Sequence, residues 1–304
     1  MIEKSAIFTF CLIALLWSAC DEKYPFAPEE KYPRITDAEL IAALPSDLRE
    51  SSGLEFFDGQ IWSHNDSGDG PLLYQVDTAS AEILHSVRLE PAINFDWEDA
   101  AADDDYVFIG DFGNNRGNRE DLRIYRCAKN LLTQDTVSEF DIIDFSYADQ
   151  DNFINTSEQH DFNEEAFIAW EDSLFMFTKS HLTKNTRCYA LPQTPGDYSA
   201  SFYRVFATEG LITAADFAEE EGVLLLLGYE QNLFGFRPFV WCFWDFPDHE
   251  FFAGKQKRFD LDFSEQTEGI AYAGNGTIYV CSERESLIGG HLYRIDLRGR
   301  GAGF

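Results

Sequence analysis

The sequence predicts an all-β fold, and three observations lead to this prediction. The 304 residues include 28 Phe, 13 Tyr and 6 Trp but only 2 Met, and aromatic side chains suit the pleated surface of a sheet. Short apolar runs recur along the chain between turns rich in Gly, Asn and Asp. Helical periodicity is almost absent. Pro and Gly are scattered through the turns rather than concentrated in one linker, which indicates a single domain.

The charge of the chain excludes several classes of protein. Lys and Arg together number 23 against 54 Asp and Glu, which gives a net charge of -31. A protein that contacts nucleic-acid phosphates needs a basic surface, so we expect no nucleic-acid partner. Hydrophobic residues make up 45% of the chain, too many for a disordered acidic tail. The composition also excludes a coiled coil, a polytopic membrane protein and a collagen-like chain.

The N-terminal segment predicts export and a lipid anchor. A short apolar run, 7–17, follows Lys4, and small residues come next, which is typical of a signal peptide over residues 1–19. The segment 16–20 resembles a bacterial lipobox, in which the cysteine, here Cys20, is acylated. Ordinary signal cleavage that leaves Cys20 as a plain thiol is the alternative. Residues 20–33 contain three prolines and suit a tether, and 34–304 form the predicted domain.

The residues after Cys20 refine the predicted location. Asp21, Glu22 and Lys23 resemble the acidic export tags of some bacterial surface lipoproteins. We therefore expect a protein anchored by lipid to the outer membrane, with a surface-exposed position as one option. An exported protein can form disulfides. The cysteines of the predicted domain show no paired spacing and lie in apolar runs, so we expect four buried free thiols.

A unit of two strands repeats five times along the predicted domain. Each copy begins with an acidic or small residue, passes through a strand and a turn, and ends with a polar residue after an apolar strand. The copies span 52–65, 97–111, 165–179, 213–229 and 267–283. A third strand follows each copy, at 72–76, 122–127, 187–191, 239–244 and 292–295, and a fourth follows most of them, at 83–89, 140–147 and 201–206. Tandem four-stranded units describe a β-propeller.

The sequence favours five blades, with six as the alternative. Five blades give about 54 residues each and six give about 45, and both lengths are compatible with known propellers. The longest interval contains 148–160, which is polar and is predicted to be a loop rather than extra strands. A strand near 38–44 is expected to complete the last blade, because an open ring would expose a sheet edge. The capping box at 36–39 favours a short helix there instead.

Acidic residues should converge at one end of a propeller channel, because the first strand of each blade lines it. Those at the equivalent places are Glu50, Asp96, Glu98, Glu164, Glu165, Asp216, Glu268 and Glu283. Crowded carboxylates repel one another unless a cation, a proton or water separates them. Hard oxygen ligands suit Ca²⁺, with Mg²⁺ less favoured. The alternative is that these side chains are simply solvated.

Two loops after second strands supply further oxygen ligands. His64–Gly70 and Asp111–Arg119 combine Asn and Asp with glycines, a composition that suits both cation binding and tight turns. The candidate metal ligands are Asp66, Asp96, Asp111, Asn114 and Asp216. The candidate ligand-binding residues are His64, Asn65, Lys179, Tyr229 and Glu283.

The order of these motifs resembles a group of uncharacterised exported bacterial β-propeller lipoproteins. The matching segments include 62–68, with its Asn-Asp-Ser-Gly, 96–99, with its Asp-Trp-Glu-Asp, and 110–115, with its Gly-Asp-Phe-Gly-Asn-Asn. The resemblance covers most of 48–297. More distantly, the chain is similar to propellers with phytase-like or calcium-dependent esterase activity. That similarity is one of fold and does not transfer function.

Two functions remain open from the sequence. The favoured one is a monomeric cell-envelope lipoprotein whose propeller face binds a small molecule or a protein, with a divalent cation at the channel mouth. The alternative is a metal-dependent hydrolase of esters or phosphoesters. There a channel cation would activate water, and Glu98, Glu165 or Glu268 would act as the base. No Gly-x-Ser-x-Gly elbow occurs, which argues against a conventional serine hydrolase.

Overall fold

Twenty-two strands and three short 3₁₀ helices make up the regular secondary structure of the described residues, which are 31–233, 235–284 and 290–304 of a computed structural model. The first eleven strands are β1 (Arg34–Ile35), β2 (Glu39–Ala43), β3 (Ser51–Phe57), β4 (Gln60–Asn65), β5 (Leu72–Val76), β6 (Ile83–Leu89), β7 (Trp97–Ala102), β8 (Tyr106–Asp111), β9 (Leu122–Ala128), β10 (Thr136–Val137) and β11 (Asp141–Tyr147). The others are β12 (Glu164–Trp170), β13 (Ser173–Thr178), β14 (Thr186–Pro192), β15 (Gly196–Phe206), β16 (Leu211–Ala218), β17 (Val223–Asn232), β18 (Gly235–Trp244), β19 (Lys255–Leu261), β20 (Thr267–Tyr272), β21 (Thr277–Ser282) and β22 (His291–Asp296). The 3₁₀ helices are Ser46–Leu48, Lys129–Leu131 and Phe251–Ala253.

The strands form four sheets, and the predicted all-β, propeller-like fold is confirmed at that level. The sheet orders are β10-β6-β5-β4-β3, β12-β13-β14-β15-β11-β9-β8-β7, β1-β19-β18-β17-β16 and β2-β22-β21-β20. Paired strands that are consecutive in the chain run antiparallel, as do the pairs β9-β11 and β2-β22, whereas β1, β10 and β11 pair in parallel with β19, β6 and β15. Each sheet therefore contains hairpin-connected strands of the kind that the repeat predicted.

The described residues exclude the predicted signal peptide, Cys20 and most of the tether, so these remain predictions. The compact unit of the described chain is Tyr32–Phe304. The search for a helix long and apolar enough to cross a membrane found none among the described residues.

Local predictions on two segments can be compared with the structure. The strand expected near 38–44 is present as β2, which pairs antiparallel with β22, and the helix that the capping box favoured does not form. Pairing with an open sheet edge satisfies more backbone groups than an isolated helical turn would. The polar stretch 148–160 carries no strand, as predicted. The four cysteines of the described chain are buried and free, which confirms that prediction.

The first strands of the repeats lie side by side. Strand β3 contacts β7, β7 contacts β12, β12 contacts β16, β16 contacts β20, and β20 contacts β3. Hydrogen bonds cross between them: Ser52 Oγ donates to the carbonyl of Glu98 at 2.5 Å. Thr213 Oγ1 donates to the carbonyl of Thr267 at 2.6 Å. Residues far apart in the chain are thereby brought together.

Each first strand carries a β-bulge at the same place. The register against the following strand shifts by one residue in all five pairs. The extra residues are Gly53, Glu98, Glu165, Thr213 and Glu268. A bulge leaves one residue out of the ladder and redirects its side chain, and bulges are common beside functional sites. Three of the five bulge positions carry glutamate.

Candidate cation and ligand site

The bulges border a polar cavity of about 150 Å³, which we call the acidic cavity. It is lined by Glu50, Ser51, Ser52, Asp66, Glu98, Asn115, Glu165, Lys179, Gln266, Glu268 and Glu283. The structure thus gathers all three proposed catalytic carboxylates, two proposed ligand-binding residues and one proposed metal ligand. They come from three of the four sheets and from the loops that follow their strands.

Glu165 is a fully partnered carboxylate. Asn163 Nδ2 donates to its Oε1 at 2.5 Å, and Lys179 Nζ donates to its Oε2 at 2.9 Å. Burial lowers the pKa of Lys179, but Glu165 and the other carboxylates raise it more, so the net direction is upward. The ring of Tyr229 lies 5.7 Å from Lys179 Nζ. This ammonium is therefore held as a buried charge beside the cavity.

Glu268 is partnered by one amide. Gln266 Nε2 donates to Glu268 Oε1 at 2.6 Å and also to Glu283 Oε2 at 2.7 Å. Burial raises the pKa of Glu268 to about 8, and the negative charges of Glu165 and Glu283 act in the same direction against Lys179. The carboxyl group therefore gains or loses its proton near neutral pH.

Glu98 lacks the donor that its two counterparts have. Asn163 and Gln266 each precede a bulge glutamate by two residues, and the residue at that place before Glu98 is Asp96, a carboxylate. Among the described residues, no side-chain or backbone donor bonds to the Glu98 carboxylate, which is only 5% exposed. Burial raises the pKa of the Glu98 carboxyl group well above the value usual for glutamate, and the charge of Glu165 makes the next largest contribution in the same direction.

Asp66, Asp96 and Glu98 form a tight carboxylate cluster. One oxygen from each residue lies within 4.8 Å of the others. Asp66 Oδ1 is buried without a hydrogen-bond partner among the described residues. Burial, then the neighbouring carboxylates beginning with Asp96, raise the pKa of Asp66 to about 9. Three convergent carboxylate oxygens fit a hard divalent cation such as Ca²⁺.

The backbone holds Asp66 in this position. Its N–H donates to the carbonyl of Glu50 at 2.9 Å, and its own carbonyl accepts from the N–H of Trp97 at 2.9 Å. The loop after β4 is therefore attached on one side to the entry of β3 and on the other to β7. Because the two bonds fix the main chain, the cluster geometry does not depend on side-chain contacts alone.

The histidine and asparagine at the end of β4 lie in supporting positions. His64 is fully buried, and its ring meets Trp97 edge-on at 5.6 Å. Burial lowers the pKa of His64 to about 4. Asn65 Oδ1 accepts from the N–H of Glu50 at 3.1 Å, and Asn65 Nδ2 donates to Asp69 Oδ2 at 2.7 Å. Neither residue lines the acidic cavity.

Three predicted metal ligands are held by other hydrogen bonds. Asp111 Oδ1 accepts from Arg119 Nη2 at 3.1 Å and from the N–H of Asp96 at 3.2 Å. Asn114 Oδ1 accepts from the N–H of Arg119 at 3.0 Å, so this side chain braces its own loop. Asp216 accepts from the backbone N–H of Phe217 at 2.6 Å, and burial raises its pKa to about 6. Asp111 pairs with Trp97, the residue directly before the bulge. On the equivalent strands, Asn65, Lys179, Tyr229 and Glu283 each lie one residue beyond the position that corresponds to Asp111.

Sequence reasoning missed the residues that partner the carboxylates. Asn163 and Gln266 each lie two residues before a bulge glutamate, and this repeated spacing is the signal that could have found them. Asp99 was also missed. It is fully buried, and Asp99 Oδ2 accepts from the N–H groups of Phe167 at 3.1 Å and Ala215 at 3.2 Å. Asp99 therefore links strands β7, β12 and β16.

Comparisons with known proteins add a broad structural likeness. No protein-family model matches the chain, and no curated protein sequence is similar to it. Among solved structures, U3-55K matches with a TM-score of 0.34 at 9% identity, over 82% of this chain and 60% of that one. A lignostilbene dioxygenase from Pseudomonas brassicacearum matches with a TM-score of 0.40 at 9% identity, over 79% and 58%. A hypothetical protein from Leishmania major matches with a TM-score of 0.48 at 10% identity, over 89% and 93%. The chain spans about three fifths of the first two.

Proposed function

We propose that this protein is a five-bladed β-propeller that binds one divalent cation at Asp66, Asp96 and Glu98 and uses it to hold a ligand. In this proposal β3, β7, β12, β16 and β20 are the innermost strands of the five blades. Strand β2 closes the last blade by pairing with β22. The acidic cavity then lies at one end of the central channel.

The environment of Glu98 is the observation that supports the cation. The equivalent glutamates Glu165 and Glu268 each receive a hydrogen bond from an amide two residues earlier. At Glu98 that amide is replaced by Asp96, so a buried acceptor faces a second acceptor. A buried carboxylate without a donor is costly unless it is neutralised. A cation between Asp66, Asp96 and Glu98 supplies the missing positive charge, and the flexible coordination of Ca²⁺ makes it the favoured ion over Mg²⁺.

Binding is better supported than hydrolysis by the hydrogen bonds of the two other glutamates. A general base needs a free carboxylate within reach of the attacking water. Both oxygens of Glu165 are occupied, by Asn163 and Lys179. Glu268 accepts a bond from Gln266, which leaves it only partly free. We therefore propose a binding protein, with hydrolysis as the alternative.

The substitution Asp96→Asn tests the cation site. It gives Glu98 the amide that Glu165 and Glu268 already have, and removes one cation ligand. For the wild type we expect calorimetric binding of one Ca²⁺ and, at a hundredfold excess over the Kd, about 2.7 kcal/mol of added stability. In Asp96→Asn we expect the Ca²⁺ response to disappear while stability in chelator is equal to or above that of the wild type.

The matched control is Asp104→Asn, which removes one negative charge at an exposed position. It should keep the full Ca²⁺ response. Equal Ca²⁺ binding by the wild type and by Asp96→Asn would contradict the proposed site. A wild type whose stability does not change with Ca²⁺, Mg²⁺ or Mn²⁺ would contradict it too.

A further inference from the structure

A second, larger groove lies beside the acidic cavity. Its volume is about 760 Å³, within the range of about 300–1,000 Å³ that is usual for ligand pockets. Asp96 lines it, and Asn115 lines both the groove and the acidic cavity. Gly113 also lines the groove and lies against the cluster: a Cβ at this residue would lie 2.0 Å from Glu98 Oε1 and 2.5 Å from Asp96 Oδ2. The groove therefore borders the carboxylate cluster, and Asp96 belongs to both.

Phe95 forms an aromatic platform in this groove. Its side chain is 59% exposed although it is large and apolar. The guanidinium carbon of Arg119 lies 4.5 Å from the ring centroid and covers one face. Arg119 is itself fixed, by Asp111 Oδ1 at 3.1 Å, Asp121 Oδ1 at 3.1 Å and the carbonyl of Gly113 at 2.9 Å. The ring is therefore held in place directly before the cation ligand Asp96 in the chain.

The polar groups around the platform favour a ligand that donates hydrogen bonds. Glu98 and Asp66 face the acidic cavity beside the groove, and Asp66 Oδ1 is buried without a hydrogen-bond partner among the described residues. The exposed amides Asn115 and Asn118 lie along the same groove. Anions are disfavoured because the chain carries a net charge of -31. Neutral hydroxyl groups avoid that repulsion and can also coordinate Ca²⁺ through oxygen.

We infer that the groove binds a neutral saccharide, with one pyranose ring stacked on Phe95 and vicinal hydroxyls directed towards the cation cluster of Asp66, Asp96 and Glu98. The apolar C–H face of a pyranose matches an exposed aromatic ring, and its hydroxyls match surplus carboxylate and amide acceptors. This inference names the ligand class of the proposed cation-dependent binding and rests on that function for its hydroxyl contacts. The Phe95 contact stands independently of the cation.

Saturation-transfer NMR with a panel of neutral methyl pyranosides tests the inference. The full-length protein is titrated with the methyl glycosides of mannose, galactose, glucose and fucose, each with Ca²⁺ and with chelator, and with galacturonate as the anionic comparator. For at least one neutral glycoside we expect transfer to the ring protons and affinity at least tenfold tighter with Ca²⁺. Phe95→Ala should weaken that binding at least tenfold, whereas Phe95→Tyr should retain it.

Controls separate this inference from the proposed cation site. Ile93→Ala removes another exposed apolar side chain, one that does not line the groove, and should leave glycoside binding unchanged. Calorimetry should show that Phe95→Ala binds Ca²⁺ like the wild type. Normal Ca²⁺ binding without Phe95-dependent glycoside binding, or tighter binding of galacturonate than of any neutral glycoside, would overturn the saccharide inference alone. Phe95-dependent glycoside binding without any Ca²⁺ binding would support the groove and overturn the cation site.

Discussion

At the scale of single residues, one side chain type behaves differently in three equivalent positions. Glu98, Glu165 and Glu268 all occupy bulges at the acidic cavity. The residue two positions earlier decides whether each one has a hydrogen-bond donor, because Asn163 and Gln266 can donate and Asp96 cannot. Lys179 adds a direct ion pair to Glu165. A change of one residue therefore converts a partnered carboxylate into a candidate cation ligand.

Glu268 should make stability depend on pH. Its pKa rises from 4.5 to about 8 on folding, chiefly through burial. Above about pH 4.5 the unfolded chain releases this proton while the folded chain keeps it, so stability falls as the pH rises towards 8. In chelator, the wild type should lose at least about 1.4 kcal/mol more unfolding free energy between pH 5 and pH 8 than Glu268→Gln, the equivalent of one pKa unit.

Urea denaturation at several pH values measures this difference. The exposed Glu139→Gln variant serves as the control and should follow the wild type. Parallel pH profiles for the wild type and Glu268→Gln would show that Glu268 is ionised in the folded protein at pH 5, contrary to the expectation.

At the scale of elements, the bulge fixes the geometry of the site. In β3 the bulge residue is Gly53, with φ at +59°. A Cβ there would lie 2.7 Å from His64 Nε2 and 2.8 Å from the backbone nitrogen of Ala100. The close approach of β3 to β7 therefore requires glycine, and buried His64 acts as packing against it.

Gly53→Ala should be strongly destabilising for two separable reasons. The left-handed conformation costs a non-glycine residue about 1–2 kcal/mol, and the steric overlap adds about 1–3 kcal/mol. Gly222→Ala is the matched control, because its φ is +63° and its Cβ would meet nothing within 4 Å. Chemical denaturation should therefore show a larger loss for Gly53→Ala. Equal losses would mean that β3 and β7 can separate at little cost.

At the scale of the whole molecule, the arrangement of first strands concentrates negative charge. The five strands contact one another in sequence, β3 to β7, β12, β16, β20 and back to β3. Carboxylates that are more than 150 residues apart in the chain, such as Glu98 and Glu268, thereby line one cavity. The proposed closure by β2 joins the N-terminal and C-terminal parts of the described chain.

Removal of β2 tests the proposed closure. A chain of residues 45–304 lacks β1 and β2, and a control chain of residues 37–304 lacks only β1. Without β2, strand β22 presents an open edge, which promotes association. A loss of about 2 kcal/mol would lower the unfolding midpoint by about 4–8 °C. We expect the shorter chain to show that drop and concentration-dependent oligomers by light scattering. Identical midpoints and monomeric masses would argue against closure by β2.

The sequence alone was sufficient for the fold class and most strands. Alternating apolar runs and Gly-rich turns predicted β5 and β6 with their observed bounds, because both signals are local. The capping box at 36–39 gave a local signal for a helix, but the residues that follow it form β2, because they pair with the edge of β22, which lies far away in sequence. Asp99 was missed for the same reason: its partners Phe167 and Ala215 lie on other strands.

For the candidate site as well, some features were determined by the local sequence and others only by the tertiary structure. The sequence by itself determined that acidic residues recur at one place in each repeat, because that is a matter of spacing. Only the tertiary structure decided which of them meet: it placed Asp66, Asp96 and Glu98 together, in a group that does not include Asp111 or Asp216. A one-residue shift in register moves a side chain to another face of a strand. Register depends on strand pairing across the fold, and the local sequence does not specify it.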